Sequence, residues 1–197
     1  MDATAHAPHD HAHHHHHELP TSGKPLRNMA ISATLHCLTG CAIGEIAGMA
    51  IGTALGLSNA TTLVLAIVLA FAFGYGLTSL PLLRAGLAFG AVVPIALATD
   101  TVSIATMELV DNAIIVAIPG AMEAGLDTLL FWGALAFALP VAGVVTVPVN
   151  QWLLKRGKGH AALHKTGIHG GPPVGLIAFV AALALAFGTA VLISELV

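Results

Sequence analysis

Five long, uninterrupted apolar segments occupy most of this chain, at roughly 29–56, 60–83, 85–107, 125–153 and 174–194. Crossing the hydrocarbon core of a bilayer takes about 20 apolar residues in an α-helix, at about 1.5 Å per residue. Each segment is long enough. The runs are continuous rather than alternating, which excludes a transmembrane β-barrel. Composition agrees: 56% of the 197 residues are apolar, 9% are charged, and mean hydropathy is +0.87. A soluble domain carries roughly 25% charged residues, so a soluble enzyme and a disordered protein are excluded. The 7 Lys and Arg leave no basic footprint for nucleic acid. The 21 Gly and 10 Pro suit close-packed membrane helices. The expected fold is all-α, a polytopic transmembrane helix bundle of about five spans.

Residues 1–28 differ from the rest. They hold His6, His9, His11 and His13–His17 with Asp2, Asp10, Glu18, Lys24 and Arg27, and no apolar run. This is expected to be a disordered His-rich tail ahead of a transmembrane domain over 29–197. The run His13, His14, His15, His16, His17 offers loose metal capture. Its interleaved neighbours favour a native tail over an expression tag. With five spans, every basic residue (Lys24, Arg27, Arg84, Lys155, Arg156, Lys158 and Lys165) falls on one side. The positive-inside rule then puts the N-terminus in the cytoplasm and the C-terminus outside. Glu108, Asp111, Glu123, Asp127 and Glu195 fall at the other side, as a cation-attracting mouth or simply as helix caps. Segment 108–119 is too long for a tight turn and too short to span, so it either extends the third helix or folds back.

The first apolar segment carries two interleaved rows. Gly40, Gly44, Gly48, Gly52 and Gly56 recur every four residues, the pattern that lets two membrane helices approach closely. This face is expected to join copies of the chain in a homo-oligomer. Cys37, Cys41, Glu45 and Met49 also step by four, each rotated by about 40° from the last, so they form a slowly winding stripe. Thiolate, thioether and imidazole suit Cu(I) or Zn(II). Cys37 and Cys41 are therefore candidate metal ligands, with Met49 or His36 as a third, although His36 lies about 100° from Cys37. Two buried reduced thiols with no ligand are the plainer alternative. Glu45 sits near mid-depth, where an ionised carboxylate costs about 2.5–3.5 kcal/mol on insertion scales. It needs a proton, a cation or a polar partner.

On the third segment Asp100 is placed at a depth like that of Glu45. Ser103, Met107 and Asp111 share its face, flanked by Glu108 and Asn112. If the first and third helices touch, Glu45 and Asp100 face each other as a midplane carboxylate pair. Met107, Glu108 and Asp111 then continue an ion pathway toward the outside. His160-x-x-x-His164, with His169 close by, has the helical spacing of metal ligands, but solvated loop histidines are the plainer reading. Trp132 and Trp152 read as membrane-interface anchors. There is no phosphate loop, nucleophile elbow or His-Glu-x-x-His motif, so no enzymatic activity is expected.

The stretch His36-Cys37-x-x-Gly40-Cys41-x-x-Gly44-Glu45, with Asp100 and Met107-Glu108-x-x-Asp111-Asn112, resembles a bacterial membrane family catalogued as domain of unknown function 4396, over about 30–195. The resemblance implies a polytopic bacterial membrane protein and carries over no activity; the bacterial cytoplasmic (inner) membrane is the expected location. The residues themselves lead to a lipid-embedded protein that binds and translocates a transition-metal ion, copper first and zinc second. The ligand candidates are Cys37, Cys41, Glu45, His36, Met49 and Asp100. The alternatives are a non-transporting partner or assembly subunit, a proton or cation channel built on Glu45 and Asp100, and a membrane thiol oxidoreductase.

Overall fold

The computed structural model describes residues 20–164 and 166, which fold into α1 (Gly23–Ala54), α2 (Asn59–Arg84), α3 (Phe89–Ala117), α4 (Leu129–Lys155) and the short α5 (His160–His164). Helices α1 to α4 are each long and apolar enough to cross a membrane. The expected fifth span at 174–194 lies outside the described residues, as do His13–His17, Lys165, His169 and Glu195. Helix α1 starts at Gly23, ahead of the expected edge at 29. Helix α3 runs to Ala117, so residues 108–117 extend the third helix and do not fold back. Pro140 and Pro148 lie inside α4 without breaking it.

The helix ends are written in local chemistry. Helix α1 closes with Gly56 in the left-handed region (φ +61), its N–H bonded to the Thr53 carbonyl and that of Leu57 to the Gly52 carbonyl. The same pair of bonds closes α2 around Gly86 (φ +87). This termination satisfies carbonyls the helix would otherwise leave bare, and its positive φ favours glycine. The Ser58 and Thr128 side chains accept from the N–H groups of Thr61 and Phe131 to start α2 and α4. Short connections make sequential helices antiparallel, so α1 and α3 run one way and α2 and α4 the other. Lys24, Arg27, Arg84, Lys155, Arg156 and Lys158 consequently collect at one end of the bundle.

Helix α1 is the hub. Its most apolar stretch is 61% buried, against 22% for α2. The glycine row explains the difference: Gly40 abuts Gly74, Gly44 the backbone of Ala70, Gly48 Ala66 and Gly52 Thr62. The face expected to join two copies of the chain is therefore occupied by its own α2, because the small residues of both helices fall in register. Gly56 contributes to the turn, with nothing within 4 Å of a Cβ placed there. Large apolar side chains such as Val68, Leu97, Val102, Leu109 and Val144 point outward. Polar ones, including Thr34, Glu45, Asp100, Ser103, Asp111 and Asn150, point inward. This is the arrangement lipid requires, since hydrocarbon cannot satisfy a polar group. At the two ends of α4, Trp132 donates to the Leu126 carbonyl (2.7 Å), and Arg156 stacks over Trp152 at 4.0 Å. Both are suitable interface contacts.

The glycine contacts predict an asymmetric pair of substitutions. Gly44→Ala forces α1 and α2 apart and costs about 1–3 kcal/mol, the usual penalty for overpacking. Gly76→Ala, with open space around it, is neutral or stabilises by up to about 1 kcal/mol through helix propensity. Thermal unfolding of both variants in detergent tests the contrast.

Candidate metal centre

Helices α1 and α3 touch in parallel, and their polar stripes meet in two places. At the first, Cys37 on α1 directs its Sγ to Asp100 Oδ1 on α3 at 3.7 Å. His160 at the start of α5 brings its Nδ1 to 3.6 Å from the same oxygen. All three residues are buried. The three ligand atoms lie within 4.8 Å of one another, forming a Cys/Asp/His group that can hold a metal ion. A separation of 3.6 Å is too long for a nitrogen–oxygen hydrogen bond. It does match the edge of a tetrahedral site, since bonds of about 2.0–2.3 Å to zinc place ligand atoms roughly 3.3–3.8 Å apart.

His160 reaches this position by a backbone device. After α4 ends, Gly159 takes φ +61, and a Cβ there would press on Leu153 at 3.1 Å. The chain doubles back and lays α5 against α3. His160 was expected to be a solvated loop histidine. It is instead 7% exposed, because this turn carries it under α3. His36 stands beside it, with ring centroids 5.4 Å apart, and its Nε2 lies 3.0 Å from Thr78 Oγ1. The place expected for His36 or Met49 as third ligand is thus held by His160. A brace across the bundle supports Cys37. Asn150 on α4 donates to Thr34 Oγ1 at 2.8 Å and accepts from Ser103, which neighbours the Cys37 thiol.

The second meeting point lies further along. Glu45 faces Asp111 and Glu108, and Cys41 packs against Glu108 and Glu45. The expected facing pair of Glu45 and Asp100 does not form: Glu45 stands level with Asp111, and Asp100 with Cys37. The two cysteines likewise serve different neighbourhoods instead of one chelate. Asn112 donates to the Glu108 carbonyl at 2.8 Å and to its Oε2 at 3.3 Å. Met107 is buried in the apolar cluster that also contains Cys37, Cys41 and Ile104. Met49 lies toward the other end and lines a cavity of about 220 Å³ together with Glu45, Asp111 and Glu123. Trp132 packs on the same core from the α4 side.

Two side chains of the centre, Asn150 and Thr78, escape the sequence reading, and for a third, His160, the plainer solvated reading fails. Asn150 and Thr78 each sit beside another polar residue, Gln151 and Ser79, in otherwise apolar helices, and nothing in the sequence marked them out. For His160 the signal was the His-x-x-x-His spacing beside Gly157 and Gly159.

Four apolar spans around a polar interior define a helical, membrane-embedded protein. Over residues 27–159 the chain matches the family described as Domain of unknown function (DUF4396), and it belongs to that family. The match takes in Cys37, Glu45, Asp100 and Asp111 and stops one residue short of His160. No curated protein and no solved structure matches the chain.

The brace yields its own prediction. Asn150→Ala leaves the hydroxyls of Thr34 and Ser103 without their shared partner, at a cost of about 1 kcal/mol, since interhelical hydrogen bonds in membranes average less than about 2. A lowered unfolding midpoint, with faster N-ethylmaleimide labelling of Cys37, is the expected result.

Proposed function

We propose that this protein binds a divalent transition-metal ion between Cys37, Asp100 and His160 and passes it across the membrane along the α1–α3 contact. The observation that carries this reading is the convergence of a thiol, a carboxylate and an imidazole on one point in the buried interior of an apolar bundle. One sulfur, one oxygen and one nitrogen form a borderline ligand set that favours zinc. Copper(I) ranks second, because Cys37 and Cys41 face different neighbours and do not form one chelate. Glu45, Glu108 and Asp111 supply the polar path beyond the site, with Met107 as an apolar seal beside it. The His-rich tail acts as a loose metal store. In a cytoplasmic membrane, the basic end of the bundle faces inward by the positive-inside rule, and the cavity opens outward.

Cobalt is a suitable probe, because a thiolate ligand gives it a charge-transfer absorption that tail histidines cannot produce. The full chain is expected to bind one Co²⁺ with this band, and zinc is expected to displace it. The band vanishes in Cys37→Ser. In Asp100→Asn and His160→Gln, affinity falls by at least the roughly 10–100-fold that loss of a supporting partner costs a metal site. No band in the wild-type protein would sink the proposal. Zinc entry into proteoliposomes, abolished by the same substitutions, tests the transport step.

A further inference from the structure

We infer that the cavity beside Glu45 is a second cation site, built from oxygen ligands and suited to a partly hydrated divalent ion. Glu45 is 6% exposed, and no N–H or hydroxyl donates to either of its carboxylate oxygens. Asp111 is 2% exposed, its Oδ1 equally lacks such a donor, and it stands against Glu45, so the pair is satisfied only by a proton shared between the two carboxylates or by a cation. Both line the cavity of about 220 Å³, several times the ~30 Å³ a water occupies in the liquid. Buried acceptors need a donor or a cation. The Lys and Arg side chains of the described residues gather at the opposite end of the bundle, so none supplies the charge. Hard cations such as Mg²⁺ and Mn²⁺ retain several waters and bind through one or two carboxylates. Two carboxylates with room for water fit that habit, and Glu123 on the cavity wall adds attraction for positive charge.

Cys37 and Glu45 are separated by about 12 Å along α1, and the two sites share no ligand. The second site deepens the transport reading, on which its role as a point of entry rests. Its binding can be measured separately.

Mn²⁺ reports on it by paramagnetic resonance, since binding removes the free-ion signal. The full chain is expected to take up one Mn²⁺ without coupling to a histidine nitrogen. That uptake survives Cys37→Ser and Glu45→Asp and is lost in Glu45→Gln and Asp111→Asn. The cobalt–thiolate band behaves oppositely, persisting in Glu45→Gln and Asp111→Asn, which also shows that these variants fold. No Mn²⁺ uptake by the wild-type chain, or uptake unchanged in both neutral variants, overturns the inference. Mn²⁺ uptake without any cobalt–thiolate band supports it while overturning the Cys37 site alone.

Discussion

The close contact of α1 with α2 is what the rest of the molecule hangs on. In lipid, burying apolar surface gives helices no reason to associate, because the tails are as apolar as leucine. Dispersion between well-matched surfaces has to serve instead. Gly40, Gly44 and Gly48 bring the α1 backbone onto that of α2, and Gly52 makes room for the Thr62 side chain. That contact fixes the rotation of α1. With the glycine face against α2, the flanking stripe of Cys37, Cys41 and Glu45 turns toward α3, away from hydrocarbon. Gly74 continues the effect, since Ile104 of α3 fills the space where its Cβ would stand. The positions of the thiols and carboxylates thus follow from packing that has no chemistry of its own.

Burying acids in this way is costly, at about 2.5–3.5 kcal/mol for each charged group near the middle of a membrane. Glu45, Asp100, Glu108 and Asp111 all incur some of that penalty. The bundle tolerates them because lipid never meets them and because they gather in two groups, each able to share one proton or cation. A single buried acid gains nothing from a cation that cannot find other ligands. Grouped acids beside a thiol or an imidazole do. The Thr34–Asn150–Ser103 brace holds three helices at the level of Cys37 without adding charge.

Much of this was legible in the chain, and the failures have definite causes. Continuous apolar runs specify helices in lipid with little ambiguity, and steps of four placed Cys37, Cys41 and Glu45 on one side of α1. The face shared by Asp100, Ser103 and Asp111 was equally visible. The register between the two helices was not. Equal depth for Glu45 and Asp100 holds only if α3 starts at Arg84 and α1 at residue 29. Arg84 ends α2, and the turn after it consumes residues 85–88 before α3 begins at Phe89, while α1 begins earlier, at Gly23. Both displacements push in one direction, and together they amount to about three helical turns. That is the difference between Glu45 facing Asp100 and Glu45 facing Asp111. His160 was hidden for another reason: periodicity describes helices, whereas a turn that folds back depends on what it finds to pack against. The same limit applies to the glycine row, which announces a close neighbour without saying whose.

The two polar groups differ in ligand type, and that difference constrains how an ion could move between them. Cys37, Asp100 and His160 present sulfur, oxygen and nitrogen, whereas Glu45 and Asp111 present oxygen beside water-sized space. About 12 Å of α1 separates Cys37 from Glu45, too far for a side-chain rotation to bridge. Cys41 is the one α1 residue of the stripe between them, a turn from each, and it packs against Glu108 and Glu45. Ile104 and Met107 occupy the α3 side of that interval, both fully buried. An ion passing through would therefore exchange oxygen ligands and water for the Cys41 sulfur before reaching Cys37, with the apolar pair opposing hydration on the way. Hard cations gain little from a sulfur ligand and lose their waters reluctantly, so they would stop at the cavity. A borderline ion such as zinc accepts both ligand sets. On this reading, discrimination arises in the interval around Cys41, where the ligand changes, more than in either site alone.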